Sequence, residues 1–116
     1  MQVNGISWAG TRTGRWADTV DMFERLLGLQ RDHDQPGVAV FKLANGDTLE
    51  VFADDEPDHR HFTTGPVVGF AVDDIESARA ELEAAGVEVL GPIGRGGGMS
   101  WLHFRGPDGN VWELTA

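Results

Sequence analysis

A chain of 116 residues with 41% hydrophobic residues suits one globular domain, and no apolar run approaches the roughly 20 residues that span a membrane. Its formal net charge of −10 argues against nucleic acid and anionic membranes as partners, because both require a basic surface. The absence of cysteine excludes disulfides, thiolate metal sites and cysteine nucleophiles. The sequence shows no signal-peptide pattern, so we expect a cytoplasmic protein whose partner is a small molecule or another protein.

The first half of the chain predicts one helix among four strands. Residues 3–12 form a strand with interspersed small residues, which allow a ligand or another backbone to approach closely. Apolar residues from Trp16 to Leu27 recur at helical spacing, and Gly28 is expected to end that helix. Three further strands are predicted at residues 29–33, 38–43 and 48–52, with a hairpin turn at 45–47 between the last two.

The second half repeats this order after a charged, turn-rich linker at residues 54–65. A strand at 66–72 leads to a second helix. Asp73 and Glu76 are expected to begin that helix as a capping box, and Gly86 is expected to end it. The remaining predictions are a short strand at 87–90, a flexible, lid-like glycine-rich loop at 91–98, a strand at 99–104, a PDGN turn at 107–110 and a last strand at 111–116.

The two halves share the order of their elements and the spacing of one carboxylate. Glu50 follows Gly46 by four positions, and Glu113 follows Gly109 by four. We therefore predict an α+β fold of two tandem βαβββ modules, which form a curved mixed sheet around a ligand cup, with the helices on the outer face. The predicted single domain, residues 1–116, consists of a module at 1–53, the linker at 54–65 and a module at 66–116.

Alternation of side chains along the predicted strands divides the sheet into two faces. One face is uniformly apolar and suits packing against the two amphipathic helices. The other face combines ionisable and aromatic side chains with small residues, which leave room for a ligand. Its members include Glu50, Trp101, His103, Arg105 and Glu113.

The sequence resembles a known family in four segments: FERLLGL at 23–29, NGDTLEVF at 45–52, VVGFAVDDIESARAELEAAGVEV at 67–89 and FRGPDGNVWEL at 104–114. Together they resemble the vicinal oxygen chelate superfamily, also known as the glyoxalase, bleomycin-resistance and dioxygenase group, over essentially the whole chain. The resemblance implies paired βαβββ modules around a ligand, and commonly a homodimer. It also implies a divalent metal held by up to four side chains, which come from the first and last strand of each module.

The metal site implied by the resemblance is incomplete in this sequence. Glu50 and Glu113 match the two last-strand positions. The first-strand positions fall near Ser7 and Trp8 and near Val67 and lack the usual histidines, although His103 could serve as a substitute ligand. We leave the cofactor open between a divalent metal (Zn, Ni, Mn or Fe), held by the two glutamates, and none, and we favour none.

The residues expected to bind the ligand share the same predicted face. Trp8 and Trp101 could form a stacking wall for a flat aromatic or apolar molecule. Arg12, His103 and Arg105 could contact its polar groups. This combination predicts a small-molecule site.

The two glutamates of the predicted cup face and the two histidines of the linker allow further interpretations. Without a metal, Glu50 and Glu113 could accept hydrogen bonds from the ligand, form ion pairs, or catalyse as general acid and base. His59 and His61 lie in the acidic linker and are expected to be solvated.

The leading functional hypothesis is a glyoxalase- or bleomycin-resistance-like protein that binds a small aromatic or apolar molecule in the cup, without the full family metal site. The alternative is a divalent-metal-dependent lyase, isomerase or epimerase with Glu50 and Glu113 as ligands, so enzyme activity stays open. An extradiol dioxygenase is disfavoured, because its iron needs two histidines and a carboxylate. The second alternative is a protein-interaction module, which full burial of both glutamates in ion pairs, with no open cavity, would favour.

Overall fold

The computed structural model describes residues 1–63, 65–107 and 109–116, without the side chains of residues 33 and 34. Thr64, in the predicted linker, and Asp108, in the predicted PDGN turn, lie outside the described residues. Neither described helix has the length and hydrophobicity that crossing a membrane requires. The elements are β1 (Val3–Thr13), α1 (Trp16–Arg25), β2 (Arg31–Gln35), β3 (Val38–Lys42), β4 (Thr48–Ala53), β5 (Val67–Val72), α2 (Ile75–Ala84), β6 (Glu88–Gly96), β7 (Met99–Arg105) and β8 (Val111–Thr115), with a 3₁₀ turn at Pro57–His59.

The chain divides into two compact units, and β1 contributes residues to both. The N-terminal unit comprises Trp8–Pro66, and the C-terminal unit comprises Met1–Ser7 together with Val67–Ala116. In the N-terminal unit the strand order is β2-β3-β4-β1, with β1 and β4 parallel and the other pairs antiparallel. In the C-terminal unit the order is β1-β5-β8-β7-β6, with β5 and β8 parallel and the β8–β7 and β7–β6 pairs antiparallel. The predicted α+β fold is confirmed: the βαβββ order occurs twice, and the strands pair both parallel and antiparallel.

The core of the N-terminal unit lies between α1 and one face of its strands. Val20 of α1 is buried in a cluster with Phe41 and Val51. On β1, Gly10 is the register partner of Glu50, and a Cβ at Gly10 would come within 1.9 Å of the Glu50 carbonyl oxygen. Glycine is therefore required for β1 and β4 to lie this close, which agrees with the prediction from the small residues of this strand.

The C-terminal unit has a corresponding core beneath α2. Ile75, Ala78 and Leu82 of α2 are buried there. They share the cluster with Leu102 of β7 and Leu114 of β8. The apolar, helix-facing side of the sheet is thus where the strand alternation predicted it.

The N-terminus of α2 corrects one prediction, because the cap residue is Asp74 and not Asp73. The Asp74 side chain accepts a hydrogen bond from the backbone nitrogen of Ser77 at 3.1 Å, and its own backbone is extended. Asp73 instead accepts a hydrogen bond from Nδ2 of Asn4 at 2.7 Å. Two adjacent aspartates offer the same capping chemistry, so the backbone geometry decides which one is used.

The glycine-rich segment 91–98 is not a flexible loop, so that prediction is wrong. β6 continues through it to Gly96 and pairs with β7, with one irregularity in the register. The chain reverses at Gly97 and Gly98, whose φ angles of 58° and 79° favour glycine. Glycine composition indicated flexibility, whereas hydrogen bonds to the neighbouring strand impose an extended conformation.

Candidate ligand-binding site

The C-terminal unit buries a histidine and a glutamate side by side on the face of its sheet opposite α2. The β7–β8 register aligns His103 with Glu113. Their chain neighbours Leu102 and Leu114 belong to the core beneath α2. His103 Nε2 lies 2.7 Å from Glu113 Oε2, and each side chain is 4% exposed. Strand alternation predicted the shared face, and the structure brings the two groups into hydrogen-bond contact.

The His103–Glu113 pair is chemically unusual for a buried position. An imidazole and a carboxylate at this distance form one hydrogen bond, in which the ring donates when Nε2 carries the proton. Taking two ionisable groups out of water disfavours folding, and a buried pair is often no more stabilising than apolar residues of similar volume. The pair is therefore a candidate for the polar part of a binding site.

Trp101 precedes His103 by two positions on β7 and is half-buried. Its register partner on β6 is Gly94, and a Cβ at Gly94 would come within 2.2 Å of the indole ring. A Cβ at Gly96 would lie 3.5 Å from the same ring. The two glycines therefore provide the space in which the indole lies. Sequence reasoning identified Trp101 but missed Gly94, because it interpreted these glycines as a sign of flexibility.

Arg105 lies further along β7 and has its own partners. Its Nε donates to Glu88 Oε2 at 3.0 Å, and its Nη1 donates to the carbonyl oxygen of Gly109 at 3.1 Å. The side chain is 39% exposed, so this ion pair contributes little to stability. Contact between Arg105 and a ligand stays a prediction.

In the N-terminal unit, aromatic side chains of the chain itself pack together at Phe52 of β4. The ring centroid of Trp8 lies 5.6 Å from that of Phe52 and 5.8 Å from that of Phe62. The imidazole of His59 stacks on Phe52 at 3.8 Å with an angle of 15° between the planes. Trp8, Phe52 and Phe62 are at most 3% exposed. Residues 54–62, which belong to the predicted linker, therefore cover these strand residues.

Glu56 fixes the shape of this covering segment. Its carboxylate accepts hydrogen bonds from the backbone nitrogens of Asp58 and His59, and His59 Nδ1 lies 2.7 Å from Glu56 Oε2. The side chains are 7% and 14% exposed, so the prediction that His59 is solvated is wrong. His61 is half-buried as well. The sequence signal that was missed is an N-cap glutamate followed by Pro57 at the first position of the 3₁₀ turn.

Arg12 and Glu50 also belong to the N-terminal unit. Arg12 Nη1 donates to the carbonyl oxygen of Phe62 at 3.5 Å, and Nη2 donates to the carbonyl oxygen of Asp54. The Nε of Arg12 is buried and has no hydrogen-bond partner among the described residues. Glu50 is half-buried, whereas Glu113 is fully buried, so the burial of both glutamates that would favour a protein-interaction module is not met.

At the first-strand positions that the resemblance implies for a metal, the usual histidine ligands are missing. Near these positions, Trp8 and Val67 are 3% and 2% exposed and offer no atom that coordinates a metal. Of the two last-strand carboxylates, Glu113 is hydrogen-bonded to His103. The role of Glu50 and Glu113 as metal ligands stays a prediction. No chemical step is therefore assigned to a metal.

Sequence comparison gives one family match. The profile of the Glyoxalase/Bleomycin resistance protein/Dioxygenase superfamily matches residues 5–114. The matched range includes Glu50, His103 and Glu113. No curated protein gives a significant match.

Solved structures share the fold at low sequence identity. Methylmalonyl-CoA epimerase from Mycobacterium tuberculosis is 17% identical, with a TM-score of 0.75 over 97% of this chain and 87% of that one. A Streptomyces coelicolor methylmalonyl-CoA epimerase in complex with 2-nitronate-propionyl-CoA is 20% identical, with a TM-score of 0.75 over 98% and 97%. A superfamily member from Vibrio splendidus 12B01 is 14% identical, with a TM-score of 0.70 over 93% and 95%. At these identities the likeness establishes the fold alone.

Proposed function

Because the chain belongs to the Glyoxalase/Bleomycin resistance protein/Dioxygenase superfamily, we propose that it binds a small molecule with a flat aromatic part and a hydrogen-bonding group. Trp101 stacks on the aromatic part, and His103 and Glu113 exchange hydrogen bonds with the polar group. The family metal is not required for this binding. A homodimeric assembly and a cytoplasmic location belong to the same proposal.

The observation that carries the proposal is the burial of His103 and Glu113 in one hydrogen-bonded pair, at 2.7 Å, on the sheet face opposite α2. A pair that is costly to bury is expected where its polarity is used. A carboxylate accepts hydrogen bonds and an imidazole both donates and accepts them, so the pair suits a ligand group such as a hydroxyl.

The packing around the Trp101 indole also supports the proposal. At Gly94 any side chain would collide with the indole, so glycine leaves room for the ring. The indole packs closely over Gly94, and its large flat ring gives an aromatic ligand a surface on which to stack. An aromatic ligand fits this arrangement better than an aliphatic one does.

The first test compares two tryptophans. Phenol, catechol and indole serve as probes in saturation-transfer NMR, with affinities from calorimetry. Trp101→Ala is expected to weaken binding by about tenfold or more. Trp112→Phe is the matched control, because Trp112 stacks on Phe70, which packs against the core beneath α2. The control should change the affinity by less than about twofold.

Metal dependence is measured on the same samples, by elemental analysis and by titration with nickel, zinc, manganese and iron(II). We expect the probe affinity to be unaffected by these ions. Stoichiometric metal that is lost in Glu113→Gln, together with metal-dependent affinity, would contradict the proposal. That result would favour a metal-dependent lyase, isomerase or epimerase.

A further inference from the structure

We propose that the N-terminal unit contains a binding site for an aromatic carboxylate, and that Phe62 occupies this site as an internal ligand. Residues 54–62, the strap, carry Phe62 and move away when the external ligand binds. The inference goes beyond the proposed function, because it adds a second site with its own ligand class. It concerns a different unit from the one that holds His103 and Glu113.

Phe62 has two features in common with an aryl carboxylate, an aromatic ring and an oxygen that accepts a hydrogen bond. Its ring packs at 5.8 Å from the ring of Trp8 and 6.2 Å from that of Phe52, between centroids. Its carbonyl oxygen accepts a hydrogen bond from Nη1 of Arg12 at 3.5 Å. An arylalkyl carboxylate such as phenylacetate also carries an aromatic ring and an oxygen acceptor a few bonds apart. Phe62 is 3% exposed, so ring and site are in full contact.

Arg12 is better suited to a carboxylate than to its present partners. Its guanidinium bonds two neutral backbone oxygens, those of Asp54 and Phe62, while its Nε is buried with no partner among the described residues. A carboxylate accepts two hydrogen bonds from the guanidinium fork, and such charge-assisted bonds are stronger than bonds to a neutral carbonyl. The Cα partner of Arg12 across the β1–β4 pair is Phe52, so the cation and the aromatic wall lie together.

We expect the strap to move as one piece, with its internal hydrogen bonds kept. Glu56 holds the backbone nitrogens of Asp58 and His59, all within the strap, and these bonds travel with it. A cavity of about 330 Å³ lies between strap residues 55–58 and the turn at Gln35–Gly37, so the outer side of the strap is loosely packed. Displacement breaks the stack of His59 on Phe52 and the two hydrogen bonds from Arg12.

The first experiment uses the whole wild-type chain and two probes, phenylacetate and its neutral isostere phenylacetamide. Arg60 is the one lysine or arginine in the strap and is exposed, so trypsin cleavage after it reports how often the strap leaves the sheet. Mass spectrometry follows this cut against the cut after Arg15, an exposed residue at the start of α1. Phenylacetate should accelerate cleavage after Arg60 by about tenfold, with no effect after Arg15, and phenylacetamide should not.

The second experiment removes the internal ligand and then the charge. Phe62→Ala should bind phenylacetate about tenfold more tightly than wild type, because no competing ring occupies the site. Adding Arg12→Gln to this variant should abolish its preference for phenylacetate over phenylacetamide, whereas Arg15→Gln should leave that preference intact. Circular dichroism confirms that each variant is folded.

The wild-type cleavage assay decides the outcome if Phe62→Ala does not fold. Unchanged cleavage after Arg60 at saturating phenylacetate would overturn the proposal, and so would a folded Phe62→Ala that binds phenylacetate no better than wild type. Equal binding of phenylacetate and phenylacetamide would also overturn it, because Arg12 would then play no part. The assay reads the strap alone, so its failure leaves the test of Trp101 and Trp112 unaffected.

Discussion

His103 and Glu113 show how much of the candidate site depends on two side chains. Both are buried, and replacing a buried ionisable pair by well-packed apolar residues is often neutral or stabilising. A hydrogen-bonded pair at 2.7 Å thus favours recognition of a polar ligand and gives little to stability. Stability and binding should respond in opposite directions when the pair is replaced.

We expect Glu113→Leu to lower the free energy of unfolding by about 1–3 kcal/mol, because it deprives the buried His103 imidazole of its carboxylate partner. The double variant His103→Leu with Glu113→Leu should regain wild-type stability or exceed it, while losing affinity for the aromatic probes. Urea unfolding followed by circular dichroism measures both. A double variant less stable than the wild type would show that the pair is a net stabilising interaction.

For single residues, the sequence predicted the sheet face on which a side chain lies better than it predicted which groups that side chain contacts. Strand alternation placed Trp101, His103 and Glu113 on one face, because the period of a strand is fixed by its backbone. It could not show that Glu113 bonds His103, since that depends on the register of β7 with β8. Nor could it show that His59 stacks on Phe52, which depends on how the covering segment folds back.

Helices and strands with a pattern in their own sequence were predictable, whereas elements that depend on tertiary pairing were not. The helices were predictable because their apolar stripes and flanking glycines are local features. β6 was not, because Gly91–Gly96 becomes a strand through pairing with β7. The 3₁₀ turn at Pro57–His59 had a local signal in Glu56, yet its position over the sheet depends on Arg12.

The N-terminus of α2 gives a testable prediction about helix capping. Asp74→Ala should lower the free energy of unfolding by about 0.5–2 kcal/mol, because the backbone nitrogen of Ser77 loses its cap. Asp73→Ala is the matched control, and it removes only an exposed hydrogen bond to Asn4, with an expected loss below about 0.5 kcal/mol. Thermal unfolding of the two variants in parallel gives the comparison. Equal losses would mean that both aspartates share the capping role.

The whole molecule carries 19 acidic and 9 basic side chains, and its net charge of −10 makes it repel itself. Raising the ionic strength from about 0.01 M to about 0.1 M shortens the screening length from about 30 Å to about 10 Å. We therefore expect Tm to rise with added NaCl, by about 4 °C for each 1 kcal/mol of repulsion removed. Differential scanning calorimetry checks this.

Exposed ion pairs act against this trend, because salt weakens them too. Arg79–Glu83 and Arg95–Glu76 are of this kind, with side chains between one-third and two-thirds exposed. Pairs so exposed contribute little, so self-repulsion should dominate. A Tm that falls with NaCl would show that surface pairing outweighs the excess negative charge.

The division of β1 between the two units has a consequence for synthesis on the ribosome. Ser7 and Val67, both in the C-terminal unit, are separated by the whole of Trp8–Pro66. Translation at about 5–20 residues per second delays β5 by several seconds after residues 3–7 have emerged. During that interval Trp8–Pro66 is being synthesised, and the leading half of β1, residues 3–7, still lacks its neighbour β5. The nascent chain must therefore keep Val3 and Ile6, which remain exposed in the finished fold, from pairing with other chains until β5 arrives.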